Sequence, residues 1–217
     1  MEKTFTRRIL TIQGPKSLIR QNDYKNQKTF LTMKYNIVFV GSVEAGKTSL
    51  IQKKLYGRSD QTYASTLSVD YAPWVVDDIE MSIWDTCGQE RFLAITSSYY
   101  MRGHVFVLVH DTAKDDIGKH LDMWRKEIVA KKPPRHSPVI IVVSNKMDLA
   151  PCSSKVSDWV RKYEYDHVKT SVVTGRGVDA LFQKIKDAVV VHQSDWLSPS
   201  LPALPDSTPQ ASPGCAC

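Results

Sequence analysis

The chain has 217 residues and is short of cysteine, of long apolar runs and of net charge in its body. Its four cysteines are Cys87, Cys152, Cys215 and Cys217, two of them in the last three residues. That is neither a disulfide framework nor a zinc spacing, and it points to a reducing, intracellular setting. No stretch approaches the ~18 consecutive apolar residues of a membrane-spanning helix. Glycine (10) and proline (11) show no collagen period, and with 42% hydrophobic and 24% charged residues the chain is neither disordered throughout nor a coiled coil.

The net charge of +6 is unevenly placed. Residues 1–34 hold eight basic residues against Glu2 and Asp23, which leaves 21 charges of each sign in the remainder. The excess belongs to the N-terminal segment, and a neutral body argues against a nucleic-acid-binding domain.

Residues 1–33 lack periodicity and read as a basic, solvated extension. Two other readings compete: an Arg-bearing, acid-poor address around Arg7-Arg8-Ile9-Leu10 and Leu18-Ile19-Arg20, and a natural beginning at Met33. A single regular domain is expected over 34–192. Residues 193–217 read as an extended tether, since five prolines with interleaved serines fall in the last 19 positions.

Within 34–192, continuous apolar runs mark buried strands at Tyr35–Val40, Val105–Val109 and Val139–Val143. Tyr71–Val76 and Ile79–Trp84 flank Asp77-Asp78, a tight hairpin, and Val168–Thr170 reads as a short strand. Helical spacing marks Thr48–Tyr56, Leu121–Val129, Trp159–Tyr163 and Val178–Val191. Buried strands alternating with helices give an α/β fold, a mostly parallel sheet covered on both faces.

Gly41-Ser42-Val43-Glu44-Ala45-Gly46-Lys47-Thr48 matches G-x-x-x-x-G-K-[ST] between a strand and a helix, the context that makes it a phosphate loop. Backbone N–H groups from Gly41 through Ser49 would face the phosphates, with the helix N-terminus adding positive partial charge. Lys47 would reach the β and γ phosphates and Thr48 would ligate Mg²⁺. Asn145-Lys146-Met147-Asp148 follows a buried strand. The Asp148 carboxylate can accept both N1 and N2 hydrogens of guanine, which adenine does not offer, and the Lys146 stem can pack on the base. Asp85, at another strand end, can hold Mg²⁺ through water, Gly88 lets a backbone N–H approach the terminal phosphate, and Gln89 can orient an attacking water. A small ATP-dependent kinase on the same loop is the distant alternative, disfavoured by Asp148.

Trp84-Asp85-Thr86-Cys87-Gly88-Gln89-Glu90-Arg91-Phe92 resembles the Rab WDTAGQERF run with one Ala-to-Cys change. Ile95–Tyr100 resembles ITSSYY, and Tyr63–Tyr71 resembles the switch run YISTIGVDF. Over residues 34–192 the chain resembles the Ras superfamily of small GTPases, and its Rab branch in particular. The resemblance implies the Ras-like fold, with six strands, one of them antiparallel, and five helices. It implies a monomeric GTP hydrolase with GTP/GDP and Mg²⁺ as ligands, in which Thr66 binds Mg²⁺ and the γ-phosphate. It implies that Asn145 tethers the phosphate loop, that backbone near Ser171-Val172 touches guanine, and that Tyr71, Trp84 and Tyr99 form an effector triad, although plain core packing explains aromatics there equally well.

Cys215-Ala216-Cys217 resembles the Rab C-x-C ending that carries two geranylgeranyl groups, and two lipids anchor stably where one does not. The family further implies an exchange factor, a GTPase-activating protein, a GDP-dissociation inhibitor and effectors as partners. It implies residence on the cytoplasmic face of intracellular membranes with a soluble cytosolic pool.

Four positions depart from the pattern. Val43 stands where a small residue is usual and can crowd Gln89 and its water. Glu44 replaces a small residue; turned inward it would repel a phosphate by about 4 kcal/mol at 4 Å and an effective dielectric of 20, while turned outward it would not. Ser59, counted without a gap from Thr48, replaces an aromatic that stacks on guanine, and Val173 replaces a base-packing Lys. Faster nucleotide exchange and slower intrinsic hydrolysis than a typical Rab are expected, and a hydrolysis-impaired GTP-binding scaffold on membranes is the alternative to a switch. Trp159 is expected in the core.

Overall fold

The computed structural model describes residues 34–57, 70–86, 99–114, 117–131 and 138–197. The strands are β1 (Tyr35–Val40), β2 (Asp70–Val76), β3 (Ile79–Asp85), β4 (Val105–Asp111), β5 (Val139–Asn145) and β6 (Asp166–Lys169). The helices are α1 (Lys47–Tyr56), α2 (Ile117–Lys131), α3 (Ser154–Lys162) and α4 (Val178–Leu197). A short helical stretch at 99–102 precedes β4.

One six-stranded sheet runs in the order β2-β3-β1-β4-β5-β6. Only the β2–β3 pair is antiparallel. Central strands in such a sheet are covered on both sides, which is why β4 is buried at all seven positions and its first five residues are apolar without alternation. At the edge β2 alternates exposed with half-buried residues. Asp77 (φ 48°) and Asp78 (φ 62°) both adopt the left-handed conformation, the two-residue turn whose twist matches the strands it joins.

The sheet separates two apolar clusters. Leu50 and Ile51 of α1 pack with Val178, Leu181, Phe182, Ile185 and Val189 of α4 on one face. On the other, Leu121, Trp124 and Ile128 of α2 meet Val156, Trp159 and Val160 of α3. The α4 series is spaced at helical period, so one stripe of that helix faces the sheet. The expected fold class is the one observed, and Trp159 is a core residue, 9% exposed.

Several element ends differ from those expected. Helix α3 begins at Ser154 rather than Trp159, because the Ser153 side chain accepts from Lys155 N and caps it. Strand β6 begins two residues earlier, paired with β5 from Asp166↔Ile141. Helix α4 continues past Val191 to Leu197. Trp196 holds that last turn, its ring centroid 5.7 Å from Tyr35 and 4.8 Å from His104. Among the described residues no helix is long and apolar enough to cross a membrane.

Candidate functional site

Strands β1, β3, β4, β5 and β6 run parallel, so their carboxyl ends lie along one edge. The chain order reverses beside β1, whose neighbours are β3 and β4. In open α/β sheets that reversal leaves a crevice where ligands bind. The loop after β1 opens there. Gly41 adopts φ 134°, and a Cβ would stand 2.0 Å from Val109 O. Gly46 adopts φ 92°, and a Cβ would stand 2.3 Å from Asn145 Nδ2. Both positions therefore require glycine. Lys47 is buried, and its Nζ donates to Gly41 O and Ser42 O at 3.0 Å each, so the ammonium spans the loop.

Glu44 has φ 62° and an exposed side chain, so the carboxylate faces solvent. Val43 is half-buried, and its carbonyl accepts from Lys114 Nζ at 3.3 Å. Ser42 Oγ lies 3.5 Å from His120 Nδ1 of α2. Ser49 lies in the first turn of α1.

Thr48 Oγ1 donates to Asp85 Oδ2 at 2.5 Å. The other oxygen, Asp85 Oδ1, is buried and accepts no hydrogen bond among the described residues. Burial raises the Asp85 pKa, while the Thr48 hydroxyl and the Lys47 charge pull it down. A buried carboxylate oxygen with spare acceptor capacity, beside a threonine hydroxyl, is a hard oxygen donor set suited to Mg²⁺.

The next strands build the second half of the site. Asn145 ends β5 and uses both ends of its amide: Nδ2 donates to Ala45 O, and Oδ1 accepts from Thr170 Oγ1, each at 2.9 Å. One residue thus ties the phosphate loop to the segment after β6. Lys146 has φ 63° and pairs with Asp111 at 2.8 Å. Asp148 Oδ1 accepts from the buried Ser171 Oγ at 2.5 Å. Ser171 N donates to Arg176 O at 3.0 Å, closing the loop that carries Val172. Val173 is 80% exposed, so it packs no stem against the site's interior.

Tyr71, Trp84 and Tyr99 gather on the sheet's β2–β3 side. Ring centroids lie 5.1 Å apart for Tyr71–Trp84 and 4.7 Å for Trp84–Tyr99. Tyr71 is 51% exposed. Thr66, Gly88, Gln89, Ser59, Cys215 and Cys217 lie outside the described residues, as do residues 1–33.

Some residues of the site were missed in the sequence. Asp111 pairs with Lys146, Thr112 donates through both N and Oγ1 to Asn145 O, and Thr170 holds Asn145. Asp111 carried the same signal as Asp85, a carboxylate closing a buried strand. Nothing local marked Thr112 or Thr170, whose roles depend on strand order.

A phosphate loop feeding a helix, at the reversal point of a mostly parallel six-stranded sheet with one antiparallel edge pair, defines the Ras-like class of nucleotide-binding α/β proteins. The Ras family model matches residues 36–191. Ras-related protein Rab7 of Drosophila melanogaster is 32% identical over 69% of this chain and 77% of its own length. Ras-related protein Rab-7a of Paramecium octaurelia is 30% identical over 74% of this chain and 84% of its own. The chain belongs to the Ras family and is a divergent, Rab-like small GTPase. Guanine-nucleotide binding and GTP hydrolysis come with the family, as do regulators and effectors as kinds of partner.

Proposed function

We propose that this protein is a membrane-anchored switch that cycles between GTP and GDP and recruits effectors in intracellular membrane trafficking. The observation that carries the reading is the Asn145 amide. It joins the loop bearing Lys47 and Thr48 to the segments bearing Asp148 and Ser171, so phosphate and base recognition share one rigid edge. Lys47 neutralises charge on the β and γ phosphates. Asp148, held by Ser171, accepts the two guanine hydrogens. Gln89 orients a water in line with the γ-phosphorus; the new P–O bond forms as the bond to the β–γ bridging oxygen breaks, giving GDP and inorganic phosphate. Thr48 and Asp85, with Thr66, would hold Mg²⁺, which when bound offsets charge on the phosphate oxygens.

GTP orders the segments bearing Thr66 and Gln89, and effectors read that state on the Tyr71–Trp84–Tyr99 face. Geranylgeranyl groups on Cys215 and Cys217 hold the protein on an intracellular membrane. The hydrolysis-impaired scaffold is the second reading; it rests on the half-buried Val43 and on Glu44, whose side chain is exposed.

The decisive experiment is to denature freshly purified full-length protein and identify the released nucleotide by chromatography. Mostly GDP is expected. Mostly GTP would establish the scaffold instead, and adenine nucleotide would overturn both. Replacing Cys215 and Cys217 by Ser should move the protein from membranes to the soluble fraction in cells; unchanged membrane association refutes the lipid anchor.

A further inference from the structure

Asn36 is the one polar residue in the run Tyr35–Val40 that opens the sheet. Its four hydrogen-bonding groups are all engaged. Its backbone N donates to His104 Nδ1 at 2.8 Å, and its carbonyl accepts from His104 N at 2.8 Å. Its side-chain Nδ2 donates to Arg102 O at 3.1 Å, and its Oδ1 accepts from Trp84 Nε1 at 2.9 Å. These contacts join β1 and β3 to the 99–104 stretch that carries Tyr99.

The last bond has a particular consequence. An indole between two tilted rings, at 51° to Tyr71 and 43° to Tyr99, keeps much the same aromatic contact if it turns over about its Cβ–Cγ bond. That torsion is soft and roughly two-fold. The two orientations differ in where the six-membered ring projects and where the N–H points. Ring packing does not choose between them; a hydrogen-bond acceptor on one side does, because a partly buried indole N–H seeks a partner. Only Asn or Asp supplies an acceptor at this reach, and only Asn also donates to Arg102 O.

We propose that Asn36 is a positioning residue for the aromatic face: it selects one orientation of the Trp84 indole and thereby fixes the surface that Trp84 presents beside Tyr71 and Tyr99. Its functional meaning rests on the reading of that face as the effector surface, while the positioning itself is tested without any partner.

The test uses uniformly ¹⁵N-labelled, full-length, GDP-loaded protein. Indole N–H cross-peaks are recorded for its five tryptophans, with Trp84 assigned by Trp84→Phe. Asn36→Leu removes the acceptor. Asn36→Asp keeps it and loses only the donor to Arg102. Trp159, whose Nε1 donates to Asp122 Oδ1 at 2.8 Å, is the internal reference. In Asn36→Leu the Trp84 peak should move to the position of an unbonded indole and exchange with solvent about fivefold faster, in keeping with one lost hydrogen bond of about 1 kcal/mol. Trp159 should not move, and Asn36→Asp should restore the Trp84 peak. A Trp84 peak unmoved in Asn36→Leu overturns the proposal. So does a folded Asn36→Asp in which Trp84 behaves as it does in Asn36→Leu, because loss of the Arg102 contact would then be sufficient. If the Trp84 signal responds as expected while Trp84→Ala leaves effector recruitment intact, the positioning stands and the effector-face reading fails.

Discussion

Glu44 is a residue at which sequence and backbone disagree. Its φ of 62° places a side chain with a Cβ in the left-handed region, which costs roughly 1–2 kcal/mol relative to glycine. Its side chain is exposed, and among the described residues no side-chain hydrogen bond or ion pair offsets that cost. Glu44→Gly should therefore raise the thermal midpoint by about 2–4 °C, the shift that roughly 1 kcal/mol makes in a domain of this size. Calorimetry on the GDP-bound protein checks it, and a lower midpoint would mean that Glu44 makes a compensating contact. Val43 differs in kind: its backbone is ordinary and its half-buried side chain adds bulk, so relief there should appear in the hydrolysis rate and not in stability.

Among the elements, the inner faces of β4, β5 and β6 hold an unusual polar knot. His110 Nε2 and His167 Nε2 each lie 2.7 Å from Ser144 Oγ, and Cys152 Sγ lies 3.2 Å from the same oxygen. Burial pushes His110 down to about 4, with His167 adding to the shift and Asp111 opposing it; burial and Lys169 also push His167 down. Unfolded histidine titrates near 6.5, so below that pH the unfolded chain takes up protons that folded His110 refuses. Stability is full above about 6.5 and is lost as pH falls toward 4. Between pH 7 and 5 His110 alone should remove about 2 kcal/mol. Urea midpoints across that range should fall for the natural sequence and fall less for His110→Phe; equal slopes would show that another group carries the change. This knot also marks where the sequence stopped being legible. The phosphate loop could be read because glycine spacing, strand and helix are contiguous. The hairpin could be read because Asp77-Asp78 splits two alternating runs. His110, Ser144 and His167 come from three strands, and their meeting depends on β4-β5-β6 order and register, which no local pattern encodes. Asn36 was hidden for the same reason, since its partners are 48 to 68 residues away.

On the scale of the molecule, the described groups assigned to the nucleotide lie at or just beyond the carboxyl ends of the parallel strands, and among the described residues a few long-range side-chain bonds hold them together. Asn145 to Ala45, Ser171 to Asp148 and Thr48 to Asp85 span separations of 23 to 100 residues. The two apolar clusters lie mainly on the sheet's faces and reach this edge only through Ala45 and Val172. A ligand that touches the phosphate loop, Asp148 and the Asp85 carboxylate at once therefore completes cross-links that the chain alone makes sparsely, and it should stabilise the fold as a whole. At about 100 times its dissociation constant a ligand confined to the native state adds about 2.7 kcal/mol, which is roughly 5–10 °C in a chain of this size. GDP with Mg²⁺ added to nucleotide-stripped protein should raise the midpoint by that amount, and ATP with Mg²⁺ should leave it unmoved. Chelating the ion should remove a large part of the GDP shift, because Asp85 would then face phosphate with a buried, unpaired oxygen. An equal shift with ATP would show that Asp148 does not select the base. A GDP shift indifferent to chelation would show that Thr48 and Asp85 hold each other rather than an ion.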